Sequence, residues 1–193
     1  RGFGNDAILA VTPSALTFGP AIANYSSSTG LVTVTNQGNM TMTGLSFDTD
    51  TSTEFTVLSK TCTVSLPAGD SCTVTVNFAP TSAGPRSGQL HAYTTNAGNL
   101  EVGLSGVGTA QNATASASVS SLNFGNVAVD ASSDEKTVTI TNTGNVSLSM
   151  TDVSVVNGGA NFTRASTCGA VLAVDAACSV TVMFAPKVAG TLT

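Results

Sequence analysis

Apolar residues alternate with threonine or serine along much of the chain, so that successive side chains would point to opposite faces of an extended strand. The period of two is clearest in LVTVTN at 31–36, TVTVNF at 73–78 and LEVGLSG at 100–106. β-Branched residues in this alternation are typical of half-buried strands. No stretch has the 3.6-residue period of an amphipathic helix. The pattern therefore predicts an all-β protein.

Turn sequences rich in glycine and asparagine separate the predicted strands. NQGN at 36–39 and NTGN at 142–145 are the clearest of them. We predict that the glycines of these two turns, Gly38 and Gly144, adopt a positive φ, which other residues resist.

Most of the pattern occurs twice, with an offset of 106 residues: KTCTVSLPAGDSCTVTVNFAP at 60–80 is matched by STCGAVLAVDAACSVTVMFAP at 166–186. A repeat of this length is longer than a solenoid unit and has the size of a small domain with its own core. We therefore predict two tandem copies of one domain. The predicted bounds are 9–108 for domain 1, 109–117 for a linker and 118–193 for domain 2, with 1–8 as the tail of an upstream repeat or an N-terminal segment.

Each copy is predicted to be an immunoglobulin-like β-sandwich, because about seven short strands in about 100 residues fit that fold. Phenylalanines on alternating strands are usually core residues. An alternative role for these rings is a stacking platform for a ligand. The predicted core residues are Phe18, Phe47, Phe55 and Phe78 in the first copy and Phe124, Phe162 and Phe184 in the second.

The second copy is expected to be incomplete at its C-terminus, since Thr193 corresponds to Ser87 and about two strands of the first copy have no equivalent. Either the chain is a window on a longer array, or a neighbouring chain supplies strands by β-strand addition. The expected contact regions are an unpaired edge of the second copy and the N-terminal stretch. The candidate interface residues are Phe3, Ile8, Leu9, Val11, Val182, Phe184 and Leu192.

The four cysteines form two pairs with the same spacing, Cys62 with Cys72 and Cys168 with Cys178. Ten residues are too many for a C-x-x-C redox motif, and no histidine lies nearby to complete a zinc site. We predict one disulfide within each copy, and hence an oxidising compartment. Buried free thiols are the alternative.

Composition and charge narrow the function classes further. Charged residues make up 9% of the chain and the net charge is −5, which argues against nucleic-acid binding because that function needs a basic face. No apolar run approaches the roughly 18 residues of a membrane helix, so this segment is not expected to insert into a membrane.

The sequence contains no recognisable catalytic constellation. His91 is the only histidine, and we predict a surface or sheet-edge position for it. Asp48, Asp50 and Glu54 could bind Ca²⁺ through their oxygens, but the second copy has only Asp152 in that region. A solvated loop is therefore the preferred interpretation, and we predict no catalytic residue, cofactor or metal.

Several longer stretches resemble a known family. TPSALTFGPAIA, SLNFGNVAVD, CTVTVNFAPTSAGPRSGQL and LEVGLSGVG are similar to abnormal-spindle/hydin-type Ig-like domains, and most of all to the bacterial surface repeats called choice-of-anchor D. The resemblance implies a seven-stranded sandwich used in tandem on secreted or surface-anchored proteins, and it implies no catalytic residues.

These observations together predict a non-catalytic structural repeat of a secreted or surface-anchored bacterial protein, which builds a stalk or an extracellular filament. Its expected partners are neighbouring copies of itself or adjacent repeats of the same chain. The alternative is an adhesin or glycan-binding module that uses the loops between strands. The stretches 43–57 and 149–163 differ most between the copies, as binding loops and ordinary exposed loops both would.

Overall fold

The computed structural model describes residues 6–50, 53–155 and 159–192 of the chain. The backbone divides into two compact units, Arg1–Ala110 (unit 1) and Gln111–Thr193 (unit 2). Every regular element among the described residues is a β-strand. The predicted all-β class is therefore confirmed.

The predicted linker, residues 109–117, is shorter in the structure than in the sequence prediction. Thr109 is the last residue of a strand in unit 1, and Ala115–Ala117 forms a strand in unit 2. Ala115 pairs with Asn142 across an antiparallel ladder. Local composition did not reveal this strand, because its three small residues are all exposed and carry no alternation.

Unit 1 is built from two larger sheets and one short hairpin. Its described strands are β1 (Leu9–Thr12), β2 (Ala15–Thr17), β3 (Ala21–Ile22), β4 (Ser28–Asn36), β5 (Met42–Thr43), β6 (Ser46–Thr49), β7 (Phe55–Lys60), β8 (Ser65–Leu66), β9 (Ser71–Phe78), β10 (Gly84–Tyr93) and β11 (Leu100–Thr109). The first sheet has the order β1-β4-β9-β7 and the second β2-β11-β10-β6, with β3 also beside β11. Strands β2 and β3 run parallel to β11, whereas the other pairs are antiparallel.

The two larger sheets of unit 1 enclose a single core. Val32 and Val74 from the first sheet and Val102 from the second are fully buried. Their neighbours in sequence lie on the outer faces, as the alternation predicted, and are threonine, glycine or glutamate except for the exposed Leu31. Burial of this kind contributes about 25 cal/mol for each square ångström of apolar surface removed from water.

Three phenylalanine rings, Phe18, Phe55 and Phe78, lie at the centre of this core. Their centroids are 4.8 to 5.7 Å apart, a distance at which aromatic pairs attract one another beyond simple burial. All three rings are buried, while Phe47 is half-buried and packs against the cluster. The predicted core role is confirmed for these residues.

A buried asparagine holds the NQGN turn of unit 1. The Asn36 side chain is fully buried and donates hydrogen bonds to the carbonyl oxygens of Met40 and Leu66 at 2.7 and 3.0 Å. Its Oδ1 accepts from the backbone N–H groups of Gly38 and Ile8 at 3.0 and 3.3 Å. One amide therefore satisfies four backbone groups that the turn would otherwise bury without partners.

The glycines of the two repeated turns have a role other than the predicted one. Neither Gly38 nor Gly144 has a positive φ, so that prediction is wrong. A Cβ atom at Gly38 would lie 2.1 Å from the carbonyl oxygen of Asp6, and one at Gly144 would lie 2.1 Å from that of Asn112. Glycine is required here because another backbone segment crosses the turn in close contact.

Unit 2 reproduces the first sheet of unit 1. Its described strands are β12 (Ala115–Ala117), β13 (Lys136–Asn142), β14 (Leu148–Ser149), β15 (Phe162–Ser166), β16 (Val171–Leu172) and β17 (Ala177–Phe184). The sheet order β12-β13-β17-β15 matches β1-β4-β9-β7, and the pair β14-β16 matches β5-β8. Among its described residues, unit 2 has no strands that correspond to β10 and β11.

Candidate assembly surface

Each unit contains the predicted disulfide. Cys62 is bonded to Cys72 with an S–S distance of 2.07 Å, and Cys168 to Cys178 with 2.01 Å. In both units the second cysteine lies on the central strand, β9 or β17, and the first follows the neighbouring strand, β7 or β15. The bond therefore fastens two strands of one sheet and does not connect the two layers of the sandwich.

The N-terminal candidate residues belong to the fold of unit 1. Phe3 lies outside the described residues. Leu9 and Val11 are on β1, the terminal strand of its sheet, where Leu9 pairs with Asn36 and is buried in the core. Ile8 is about half exposed, and its carbonyl oxygen accepts a hydrogen bond from the Gln37 N–H.

Val182 and Phe184 do not lie on an unpaired edge. Strand β17 is central, and Val182 pairs with Lys136 of β13 on one side and with Arg164 of β15 on the other. The expectation of an open edge around Val182 is therefore wrong. The strands without a counterpart belong to the opposite layer of the sandwich, so a face of the sheet is uncovered and not this edge.

This uncovered apolar surface of unit 2 is called the open face. Val138 and Val182 are half-buried there, whereas the corresponding Val32 and Val76 of unit 1 are fully buried. Val138 and Val182 line one cleft together with Phe162. The open face comprises Leu122, Phe124, Val138, Phe162, Val182 and Phe184.

The aromatic cluster of unit 1 recurs at the open face with less cover. The Phe162 and Phe184 centroids are 5.0 Å apart, and that of Phe124 is 5.9 to 6.0 Å from both. Phe124 and Phe162 are half-buried, and Phe184 is buried. Leu192 lines the same cleft as the three rings. The predicted core role of these rings is thus confirmed for Phe184 and only partly realised for the other two.

The segments of unit 2 beside the open face lack regular structure. Residues 121–123, 127–128 and 152–155 correspond to β2, β3 and β6 of unit 1, and none of them is a strand. In unit 1 these three strands pair with β10 and β11. The described residues of unit 2 include no equivalents of β10 and β11 with which these segments could pair.

A small polar cluster in unit 1 surrounds the single histidine. His91 Nε2 lies 2.9 Å from Asp50 Oδ1, and Nδ1 lies 3.5 Å from Glu101 Oε1. The hydrogen bond to Asp50 raises the pKa of His91, and the charges of Asp50, Glu101 and Asp48 add to this against the opposing effect of desolvation. The Tyr93 ring stacks on the imidazole, with centroids 5.9 Å apart.

Strand β10, which carries His91, is paired on both sides, so of the two predicted positions, surface or edge, the edge is excluded, and His91 lies partly exposed on the outer face of the sheet. The alternation of LHAY indicated only that His91 points away from the core. The alternation could not indicate that Asp50 and Glu101 contact His91, because these residues come from two other segments of the chain.

Two of the three candidate calcium ligands, Asp50 and Glu54, accept hydrogen bonds from other groups of the protein. Asp50 accepts a hydrogen bond from the Gln89 N–H at 2.8 Å in addition to its contact with His91. Glu54 accepts from both the N–H and the hydroxyl of Thr81 at 2.7 Å and lies 3.3 Å from Arg86. The hydrogen bonds from Thr81 lower the pKa of Glu54.

The described ranges contain neither a metal-binding cluster nor a membrane-spanning helix. No group of three or more histidine, cysteine, aspartate or glutamate side chains there is arranged to hold a metal ion. No helix that is long and apolar enough to span a membrane occurs in the same ranges.

Comparisons with solved structures give similarities at low identity. Domain 7 of the PapD-like domains of human CEP192 is 15% identical, with a TM-score of 0.44, over 57% of this chain and 91% of that domain. The VesB protease of Vibrio cholerae is 19% identical, with a TM-score of 0.41, over 51% of this chain and 31% of that chain. The surface layer protein SbsC is 16% identical, with a TM-score of 0.36, over 91% of this chain and 22% of that chain.

Comparisons by sequence give one family match. No curated protein is similar to the chain. Residues 113–193 match the HYDIN/CFA65/VesB-like Ig-like domain, whereas the narrower assignment to choice-of-anchor D repeats stays a prediction. The second unit of the chain is therefore similar to the HYDIN/CFA65/VesB-like Ig-like domain.

Proposed function

We propose that this chain is a non-catalytic structural segment of an extracellular protein, in which Ig-like domains in tandem form a stalk or a filament. The observation that supports this most directly is that the structural features shared by the two units all stabilise the fold. Both contain the disulfide, the buried asparagine and the close backbone crossing at the turn glycine. All three are devices that stabilise a sandwich, and none is reactive.

A fourth shared feature is a hydrogen bond from a backbone N–H to a threonine hydroxyl, which links the same two strands as the disulfide. The Thr73 N–H donates to Thr61 Oγ1 at 2.8 Å, and the Ser179 N–H donates to Thr167 Oγ1 at 2.9 Å in unit 2. The same geometry at equivalent positions fits selection for a rigid repeated domain. Repetition of a rigid domain extends the reach of a chain by about 30 Å per unit, given strands of seven to nine residues.

The extracellular setting is supported by the oxidised cysteines. Disulfides persist in oxidising compartments and are rare in the cytosol of ordinary organisms. All four cysteines are in disulfides, so the chain offers no thiol nucleophile. The low content of charged residues, 9% of the chain, reduces repulsion between neighbouring units and so favours their packing.

Isolation of the parent protein from its source, with thiols blocked at lysis, tests this proposal. We expect non-reducing peptide mapping to recover both intra-unit disulfides. We expect proteolysis of intact cells to release the segment and electron microscopy to show linear series of domain-sized particles. Free thiols in the native protein, resistance to external protease, or turnover of a substrate by this segment would contradict the proposal.

A second measurement distinguishes an adhesin from a stalk or filament segment. Saturable binding of the purified chain to defined sugars on a glycan array would favour a binding module, above all if changes in 43–57 abolished it. A stalk or filament segment is expected to give no specific signal on the same array.

A further inference from the structure

We propose that the outer face of the first sheet of unit 1, called the hydroxyl face, is a self-association surface that packs against the same face of a second copy of the chain. This inference deepens the proposed structural role, because it names the surface at which copies meet, and it rests on that role for its biological setting. Unit 1 contains both layers of its sandwich, so the exposure of this face is a property of the two-layered domain.

The hydroxyl face consists of the outward residues of β1, β4, β9 and β7. These residues alternate with core residues, as Thr33 does between the fully buried Val32 and Val34. On the two central strands, β4 and β9, every outward residue is threonine or serine except Leu31 and Asn77. The face is therefore covered mainly by short hydroxyl side chains.

No outward residue of these four strands is charged. Their one charged residue, Lys60, pairs with the buried Val74 and so lies at an inward position at the edge of the sheet. The outer face of the second sheet differs, since Asp48 and Glu101 lie beside His91 there. In a chain with a net charge of −5, like charges oppose contact between copies at the second sheet but not at the hydroxyl face.

A row of hydroxyl groups crosses the face from one edge strand to the other. Thr12 pairs with Thr33, and Thr33 pairs with Thr73. The Thr73 N–H donates to Thr61 Oγ1 at 2.8 Å. Because a hydroxyl group both donates and accepts hydrogen bonds, a surface of hydroxyl groups is complementary to a copy of itself. A twofold interface between identical chains requires this self-complementarity, which a surface of carboxylates does not have.

Unit 2 repeats the row at the equivalent positions. Thr139 pairs with Ser179, and its N–H donates to Ser118 Oγ at 3.0 Å. The Ser179 N–H donates to Thr167 Oγ1 at 2.9 Å. Four hydroxyl residues therefore cross the first sheet of both units at the same offset of 106 residues.

The absence of outward charge recurs in unit 2 as well. Lys136 and Arg164 are the charged residues of β12, β13, β15 and β17. Both pair with Val182, whose side chain is on the inner side of the sheet. Charged side chains ordinarily point to solvent, so an outer face without them in both units is a recurring feature of this domain.

The size of the face and one apolar residue determine how strongly it associates. Leu31 is 53% exposed and lies on a central strand, where it pairs with Thr75. Four strands about 4.8 Å apart, with about eight residues at about 3.4 Å each, give about 500 Å² for each copy and about 1,000 Å² in total. This area is at the low end for a specific interface, so a single pair of faces binds weakly and gains strength when repeated along an array.

A charge-exchange experiment on the full chain tests the proposal. Sedimentation equilibrium should show a weak, concentration-dependent dimer that salt does not weaken, because no charge pair contributes to it. Leu31→Lys and Leu31→Glu should each weaken the dimer by at least about tenfold, since like charges then meet across the interface. An equimolar mixture of the two variants, one of them labelled with a fluorophore at its N-terminus, should form a heterodimer at least as stable as the parent dimer.

The same exchange at Val107 provides the matched control, because Val107 is 46% exposed on the outer face of the second sheet. Val107→Lys and Val107→Glu should leave the dimer unchanged, alone and in mixture. Urea unfolding followed by tyrosine fluorescence verifies that each variant is folded, and the exchange is repeated with Thr75→Lys and Thr75→Glu on the neighbouring strand.

The proposal is wrong if the parent chain stays monomeric at about 1 mM, if the Leu31 variants associate as the parent does, or if their mixture does not restore the dimer. Saccharide binding that is lost in the Leu31 variants, without self-association of the parent, would also contradict it, since the occupant is then a glycan. Each of these outcomes leaves the extracellular role intact, because that role is tested on the parent protein in its source.

Discussion

At the scale of single residues, buried polar groups define the turns of this protein. Asn36 and Asn142 are the buried polar residues of the described chain, and each satisfies one backbone carbonyl of its own turn and one of a distant strand. Removing one of them would leave donors and acceptors buried without partners, each at a cost of about 1–3 kcal/mol. The asparagines therefore specify the turn geometry as well as stabilise it.

We expect Asn36→Ala to lower the free energy of unfolding of unit 1 by about 3 kcal/mol or more, because four hydrogen bonds to one buried amide are lost. Urea unfolding followed by tyrosine fluorescence measures this in the full chain, since Tyr25 and Tyr93 are its two tyrosines and both lie in unit 1. Gln37→Ala, on the exposed neighbour, should change stability by less than about 0.5 kcal/mol. Equal effects of the two substitutions would refute this role.

The His91 cluster predicts a pH-dependent contribution to the stability of unit 1. The pKa of His91 is raised in the folded state, first by the hydrogen bond to Asp50. The protonated form is therefore favoured by folding, and its contribution is fully present below the unfolded pKa of about 6.5. It is lost as the pH rises through the higher folded pKa.

Comparison with His91→Gln tests that pH dependence. The parent chain should exceed the variant in unfolding free energy by more at pH 5.5 than at pH 8.5, both followed by tyrosine fluorescence in urea. Asp50→Asn should remove most of the difference, because it removes the acceptor that raises the pKa. A difference that is independent of pH, or larger at pH 8.5, would show that the imidazole contributes only by packing.

At the scale of elements, the first sheet is the layer that the two units have in common. The order β1-β4-β9-β7 recurs as β12-β13-β17-β15, although the described residues of unit 2 include no equivalents of β10 and β11. The disulfide joins the central strand to the loop after its neighbour in both cases. In the second layer of unit 1, the short strands β2, β3 and β6 pair with β10 or β11.

We expect the double substitution Cys62→Ala and Cys72→Ala to destabilise unit 1 by about 2–3 kcal/mol, from the loop entropy that a bond across ten residues removes from the unfolded chain. Urea unfolding with tyrosine fluorescence again reports on unit 1 alone. The parent chain under reducing conditions should show the same loss. A double variant as stable as the oxidised parent would mean that strand pairing alone fixes this region.

At the scale of the whole molecule, the two units differ in how completely they bury their cores. The central rings of unit 1 are buried, whereas two of the three equivalent rings of unit 2 are half-buried. Exposed apolar surface of this kind marks a binding site or a liability for aggregation. The two units are therefore expected to behave differently when they are separated.

We expect residues 6–110 alone to unfold in one cooperative thermal transition and residues 111–193 alone to be unfolded, aggregated or strongly bound by an apolar dye. The reason is that only the first fragment has both layers of its sandwich. Circular dichroism with temperature, sedimentation and dye fluorescence measure the difference. A monomeric second fragment with a cooperative transition and no dye binding would show that one layer is enough.

Local sequence determined the all-β class, the strand alternation and the disulfide pairs. Val32, Val74 and Phe78 could be assigned to the core because the period of two separates the two faces of any strand, whatever its partners. The duplication was equally clear, since equivalent residues recur at one constant offset. These features depend only on neighbours along the chain.

Only the tertiary structure decided which strands are central in their sheets and which distant segments of the chain contact one another. Alternation gives the face of Val182 but not its partners, so the paired position of β17 could not be predicted. The backbone crossing at Gly38 and the acidic partners of His91 likewise come from distant segments. The edge expected around Val182 is instead the middle of a sheet, because strand order is set by pairing between distant segments.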